Sequence, residues 1–571
     1  MTYCANLDSS RRRNCEARGS LVCKNCRLVL YCSSTCQKAH WPAHRLNCKS
    51  ALMKDSWKPV WVVQGRQPSF VGPGVDSKFG TPKYLWGNLP AIDIVGLANH
   101  EGETFLGPLN LLFAASGDLR SVITSLASIT AEYMGIVNLH INDHDFTVTA
   151  RNVIMLLFFF TLDDATLAAE HAIHVFYSAF LTKACFDAMQ NKIKPLIQDV
   201  CAKIVDRSAN AVLGKTWKFG VSSIRLVLTK GDWHNLLSFF DVPAGTTKET
   251  AQKARSTVVS APERIDYVHR HLLKQEPAHR VSIMQFREDG LLLPLGAARP
   301  EFQIPNPTFF QTPEEWPMMD NADPMAGWCH KQIQAGYTGL AVNDIYGMLY
   351  YHLTDLFIRF YGKLHNTPVS ILLTKADARE IAPYVGGMKF ARIDSSNIAD
   401  RYYLGLQDTA ASLGPLLQSP TENPHATLIM AFMNAAKEAY VLSGAEENKA
   451  LAEQDMDRLK MYLPPPLAMS PAEVGMYIFT LMAGRDLVWD FERFFNLYLD
   501  EFDLGQLAAE TSLEMKEHNT IVKPWPMRLS TGPVTLEKRK EFRALLASPH
   551  TGMERYVEWQ AKRDVVAEDV D

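Results

Sequence analysis

The chain has little of what marks a membrane, disordered or nucleic-acid-coating protein. Its longest apolar run, residues 153–162, lies between Arg151 and Asp163 and is about half of the ~20 residues that a spanning helix needs. It reads as a buried core helix. A formal charge of -4 over 571 residues gives no whole-chain attraction to nucleic acid or anionic lipid, and neither an internal repeat nor a low-complexity stretch is present. With 47% hydrophobic and 21% charged residues there is enough apolar material for a large core, which excludes disorder, collagen and pure coiled coil. The opening lacks the charged-then-apolar pattern of a signal peptide. The expectation is an intracellular chain, in cytoplasm or nucleus, with no membrane partner.

Several catalytic signatures are also missing. None of the 17 histidines has Asp or Glu two positions later, so the His-x-acid half of a non-haem iron site is absent. His-Glu-x-x-His, the simplest zinc-protease motif, is absent too. Gly214-Lys215-Thr216 looks like the end of a phosphate loop, but the glycine required five positions earlier is Ala209, which leaves the backbone cradle incomplete.

What is present is concentrated at the start. Seven of the ten cysteines, Cys4, Cys15, Cys23, Cys26, Cys32, Cys36 and Cys48, lie in the first 48 positions, while Cys185, Cys201 and Cys329 are isolated and read as packed thiols. The first 50 residues carry nine Lys or Arg against Asp8 and Glu16, a formal +7, and the remainder carries -11. Both asymmetries set off an N-terminal module. In a reducing compartment clustered cysteines are metal ligands in preference to disulfides. With His44 the seven cysteines make eight ligands, enough for two tetrahedral zinc ions. Cys36, His40 and His44 recur every four residues, consistent with a short helix, but His44 alone supplies the His-x3-Cys spacing to Cys48, so His40 is read as structural. The Arg11-Arg12-Arg13 run is a solvated loop, and nucleic acid is not an expected partner.

The stretch Leu30, Tyr31, Cys32, Ser33, Cys36, Gln37, Trp41, His44, Cys48 resembles the C-terminal half of the MYND-type zinc-finger signature. The resemblance implies interleaved ligation, with one zinc on Cys4, Cys15, Cys32 and Cys36 and the other on Cys23, Cys26, His44 and Cys48. The departure is at the start, where ten residues separate Cys4 from Cys15 in place of a Cys-x2-Cys pair. Such fingers typically bind protein partners through proline-containing peptides. The cofactor motifs of the SET domain, which accompanies some of these fingers, are absent.

Beyond a Pro- and Trp-rich connector to about residue 80, the pattern becomes α/β. Residues 109–115 read as a strand, Ser116-Gly117-Asp118 as a turn, and Leu119, Val122, Ile123 and Leu126 as one helix face. Residues 136–141 read as a second strand with an acidic end, and 147–162 as a helix. This is the beginning of a doubly wound sheet. It resembles the nucleoside end of S-adenosylmethionine-dependent methyltransferases, which would give Gly117, Asp118 and Asp143 cofactor-binding posts. The alternative to an adaptor is therefore such a methyltransferase.

Further stretches, among them Tyr84-Leu85-Trp86-Gly87-Asn88, Ala150-Arg151-Asn152, Asp289-Gly290-Leu291, Pro305-Asn306-Pro307-Thr308, Asn343-Asp344-Ile345-Tyr346-Gly347 and Asn423-Pro424-His425, resemble fungal MYND-finger proteins of unknown function whose body is related to axonemal dynein assembly factors. The resemblance implies a scaffold role. Arg120, Asn152, Asp289 and Asp344 are read as caps or turn-fillers. Residues 389–393 read as a later strand, and Leu487, Trp489, Phe491, Phe494, Phe495 and Leu497 as a core stripe. The expected architecture is a two-zinc finger at 1–50, a methyltransferase-like α/β body at 51–445 and a mostly helical part at 446–571, broken by Pro464-Pro465-Pro466 and closing on Glu568, Asp569 and Asp571.

Overall fold

A computed structural model describes residues 3–8, 13–72, 78–445, 449–465 and 468–562. Arg11, Arg12, Pro466 and the acidic close at 568–571 lie outside the described residues.

The body is mixed α/β, built on a nine-stranded, largely parallel sheet. Its strand order is Leu513–Met515, Arg555–Ala561, Thr427–Phe432, Arg392–Asp394, Leu109–Phe113, Val137–Asp143, Val369–Lys375, Ser222–Thr229, Val212–Phe219. The five strands from Thr427–Phe432 to Val369–Lys375 run parallel to one another, and Ser222–Thr229 joins them in the same direction. Numbered by chain position, those five read 5-4-1-2-3 across the sheet. The order reverses between Leu109–Phe113 and Arg392–Asp394, and a doubly wound sheet leaves its ligand crevice at such a point.

Side-chain alternation explains why the sheet is buried on both faces. From Leu109–Phe113, Leu109, Leu111 and Phe113 enter one apolar cluster with helices Arg120–Ser128, Phe146–Thr161, Ala165–Tyr177 and Ile345–Asn366. Leu112 enters a second, with helices Gly405–Leu413, Ala435–Leu442 and Phe491–Leu499. Thr427–Phe432 repeats the division, Ile429 and Ala431 on one side and Leu428, Met430 and Phe432 on the other.

The strand, turn, helix, strand, helix order expected over 109–162 is present as Leu109–Phe113, Arg120–Ser128, Val137–Asp143 and Phe146–Thr161. The apolar run at 153–162 is fully buried in the last helix apart from its end, and no helix among the described residues is long and apolar enough to cross a membrane. Of the core stripe, Leu497 is exposed and the other five residues are buried. Gly214, Lys215 and Thr216 lie within an edge strand, paired with Val227, Leu226 and Arg225, and form no phosphate loop.

Beyond residue 445 the helices expected from pattern are joined by two strands. Arg555–Ala561 inserts antiparallel between Thr427–Phe432 and Leu513–Met515. Glu558, buried in the middle of that strand, accepts hydrogen bonds from the backbone N–H groups of Thr520, Ile521 and Val522 at 2.7, 2.7 and 2.8 Å and from Lys516 Nζ at 3.2 Å.

Candidate metal centres

Two local elements assemble the finger. Strands Tyr3–Asp8 and Arg13–Arg18 pair antiparallel with Cys4 opposite Cys15. The antiparallel pair thus brings together two ligands with ten residues between them, as a tight Cys-x2-Cys turn does elsewhere. Helix Ser34–Cys48, N-capped by Ser33 through Cys36 N–H at 3.2 Å, supplies Cys36 to one ligand set and His44 and Cys48, about one turn apart, to the other.

The ligand atoms gather as two interleaved sets, Cys4, Cys15, Cys32 and Cys36 in one and Cys23, Cys26, His44 and Cys48 in the other, each within 4.8 Å. Tetrahedral zinc with Zn–S near 2.3 Å spaces its sulfurs about 3.8 Å apart. The Cys15–Cys32 and Cys23–Cys48 Sγ distances are both 3.8 Å, and Cys26 Sγ stands 3.4 Å from His44 Nε2. The ten cysteines are free thiols. The donor set therefore fits two closed zinc sites, and Cys4, the ligand with the unusual spacing, belongs to the first. His40 lies outside both sets and meets the Tyr31 hydroxyl at 3.1 Å.

Electrostatics favour a divalent ion. Four thiolates with Zn2+ carry a formal -2, three with a neutral histidine -1, and each set has an amide donor to offset the excess. Asn6 Nδ2 donates to Cys36 Sγ at 3.4 Å, and Asn25 Nδ2 to Cys48 Sγ at 3.2 Å. Neither asparagine was expected from the ligand spacing. A Cys-x-Asn pattern repeats at Cys4-Ala5-Asn6 and Cys23-Lys24-Asn25 and was the available signal. The Cys36 thiol is pulled down to about 7, chiefly by its hydrogen bond with Cys32. Burial pushes the Cys26 thiol up, so loading that site releases a proton. Burial, then His40, lowers His44 to about 4, keeping it neutral as a metal ligand must be.

The finger is seated on the body. Cys4, Ala5, Leu28, Val29 and Tyr31 share an apolar cluster with Ala278 and Val281 of helix Pro277–Asp289. Asn343 Nδ2 donates to Cys26 O at 2.8 Å, and Asn343 N to Arg27 O at 3.2 Å. A Cβ at Gly296 would come within 2.6 Å of Ala5 Cβ, so glycine permits the approach.

At the reversal point the three cofactor candidates are brought together, with their polar atoms turned to one another and to the chain. Gly117, at φ +57°, donates its N–H to Asp143 Oδ2 at 2.8 Å, and Asp145 N donates to Asp143 Oδ1 at 2.8 Å. Asp118 accepts from Gly87 N at 2.6 Å and Arg120 N at 2.9 Å and pairs with Arg120 Nε at 2.7 Å. Arg120 Nη1 donates to Leu89 O at 2.6 Å. A Cβ at either Gly87 or Gly327 would lie 2.0 Å from the Arg120 guanidinium, so the side chain is sandwiched between two glycine-bearing segments.

The remaining polar candidates hold structure. Asn152 Nδ2 donates to Gly117 O at 3.3 Å. Asp289 accepts from Leu291 N at 2.9 Å and pairs with Arg299 at 2.6 Å. Asp344 N-caps helix Ile345–Asn366 through Gly347 N at 3.0 Å and accepts from Leu295 N at 2.6 Å.

Fold and site thus define a two-site zinc finger fixed to an α/β body. Two family models match the chain: the MYND finger over residues 13–48, and a domain of unknown function, DUF4470, over residues 85–181. The MYND finger is a protein-interaction module, and its match begins after Cys4. No solved structure matches the chain.

Proposed function

We propose that the chain is an intracellular adaptor, of cytoplasm or nucleus. In this reading two zinc ions lock the finger into a surface that recruits protein partners, including proline-containing peptides. The observation that carries it is the closure of both ligand sets. Four protein ligands per ion leave no coordination position for water or substrate, so the finger acts through its shape. Trp41, with Lys49 Nζ 5.7 Å over its ring, and exposed Leu46 and Leu21 offer apolar surface on the finger. Kinship with fungal proteins related to dynein assembly factors would make the body a scaffold. For this purpose the chain divides at about 50 and 445, the last part adding two strands to the body's sheet. Capture of partners on the full chain tests the proposal: Cys32→Ser and His44→Ala should lose them while the body keeps its melting transition, and an unchanged set of partners would overturn recruitment.

A second reading, an S-adenosylmethionine-dependent methyltransferase, draws support from the strand order alone, which agrees with a doubly wound, methyltransferase-like sheet. Against it stands the internal engagement of Gly117, Asp118 and Asp143. Calorimetric titration with the cofactor decides: binding that disappears in Asp143→Ala supports the enzyme, and no heat up to millimolar ligand removes it.

A further inference from the structure

Two of the quoted stretches that the adaptor reading leaves unused, through Trp86 and Gly290, meet at one small cavity in the body. It is lined by Trp86, Tyr177, Arg255, Phe286, Arg287, Gly290 and Trp316, among others, and has room for about one water-sized group. Arg255 is 2% exposed and Trp316 5%.

Arg255 sits at the carboxyl end of helix Pro277–Asp289. Its Nη1 donates to Arg287 O at 2.8 Å and its Nη2 to Phe286 O at 3.0 Å. Its Nε–H has no partner among the described residues, and neither has Trp316 Nε1–H. A buried donor without an acceptor costs about 1 to 3 kcal/mol, so two on one cavity call for an occupant that accepts from both. Gly290, at φ +69°, makes the space: a Cβ there would stand 2.7 Å from Arg255 Nε.

Charge identifies the occupant. Among the described residues no carboxylate lies within ion-pair distance of Arg255. Arg287 gives its donors to Asp320 O and Val259 O; of the nearby carboxylates Asp289 pairs with Arg299 at 2.6 Å, and Asp320 pairs with Arg264 at 2.9 Å through Oδ2, its buried Oδ1 having no partner among the described residues. The Tyr177 hydroxyl already accepts from Trp328 Nε1 at 2.7 Å. The helix carboxyl end offsets part of the Arg255 charge, but its carbonyls are taken by Arg255 itself. The lining groups that lack any partner, Arg255 Nε–H and Trp316 Nε1–H, are both donors on a cationic wall, which suits an anion ahead of a water. The rest is apolar, Trp86 and Phe286 with Val259 and Ala322.

We propose that this cavity is a binding site for one small monovalent anion of halide size, held by Arg255 Nε–H and Trp316 Nε1–H, with chloride as the natural occupant. Phosphate and carboxylate ligands are too large for the space. The anion completes the charge balance of the body's core beside the Gly290 turn.

The test is crystallographic, on full-length protein purified and crystallised in bromide in place of chloride. The expected result is one anomalous peak within hydrogen-bond distance of both nitrogens, with bromide binding weakened roughly tenfold in Trp316→Phe, which keeps the ring and removes one donor. Density for an ordinary water without anomalous signal in the wild-type protein would overturn the proposal, as would bromide occupancy that is indifferent to Trp316→Phe. The wild-type map decides by itself if the variant does not fold.

Discussion

The finger and the body solve the same problem with different chemistry. Fifty residues cannot bury enough surface to be stable alone, and the finger relies on eight ligands converging on two points. The body relies on a sheet with apolar clusters on both faces. What joins them is a set of side chains around Ala278 and Val281, the two hydrogen bonds of Asn343, and Tyr3, which donates its hydroxyl to Glu170 at 3.2 Å and its N–H to the Tyr351 hydroxyl at 3.4 Å. We expect stability to be local to each region, with the seam between them the first to open.

The largest expected effect comes from removing metal. Structural zinc contributes about 10 to 16 kcal/mol of apparent binding energy in small fingers, so chelation should abolish hydrogen-exchange protection over 13–48 while the body retains a cooperative transition. Simultaneous loss of protection in both would mean that finger and body unfold as one unit.

Acid should strike the body next. His140, His171 and His330 are held at about 4, and His174 and His279 at about 3, by burial that disfavours their charged forms. Their folded values lie below the unfolded ~6.5, so the folded state binds fewer protons. The body's stability is then constant above pH ~6.5 and falls as pH drops from there toward 4, by up to about 2 kcal/mol per histidine at pH 5. Denaturant melts of the chelated protein between pH 7 and 5 measure this. A flat profile would mean that the histidines reach solvent.

A smaller, cleaner division is expected from Leu111→Ala, which opens a cavity beneath the central strand. It should cost the body about 2 to 5 kcal/mol and leave zinc content at two equivalents by elemental analysis. Loss of metal in this variant would show the finger to depend on the core of the sheet. The smallest effect belongs to Asn343→Ala. Removing the donor to Cys26 O should weaken the seam by about 1 kcal/mol, read as faster proteolysis between finger and body with zinc retained, and an unchanged cleavage rate would assign the seam to the apolar cluster and the Tyr3 contacts.

Legibility followed the range of the interactions. The ligands, the 109–162 units and the core helix could be read because each rests on spacings of a few residues. The strand Arg555–Ala561 was missed because its register is set by partners more than 100 residues earlier, in Thr427–Phe432, and its central Glu558 reads as exposed until Lys516 and the backbone of 520–522 close over it. The strand expected at 389–393 begins only at Arg392 for a similar reason: Phe390 is drawn aside to bridge Leu417.

Sequence alone determined which atoms gather into sets that could hold metal, because soft ligands at fixed short separations admit few arrangements and the hairpin and helix that present them are local. Tertiary structure decided where the finger sits and what became of Gly117, Asp118 and Asp143. Whether a polar atom faces a crevice or a neighbouring turn depends on segments such as 87–89 and 327, whose approach no periodicity near those residues encodes.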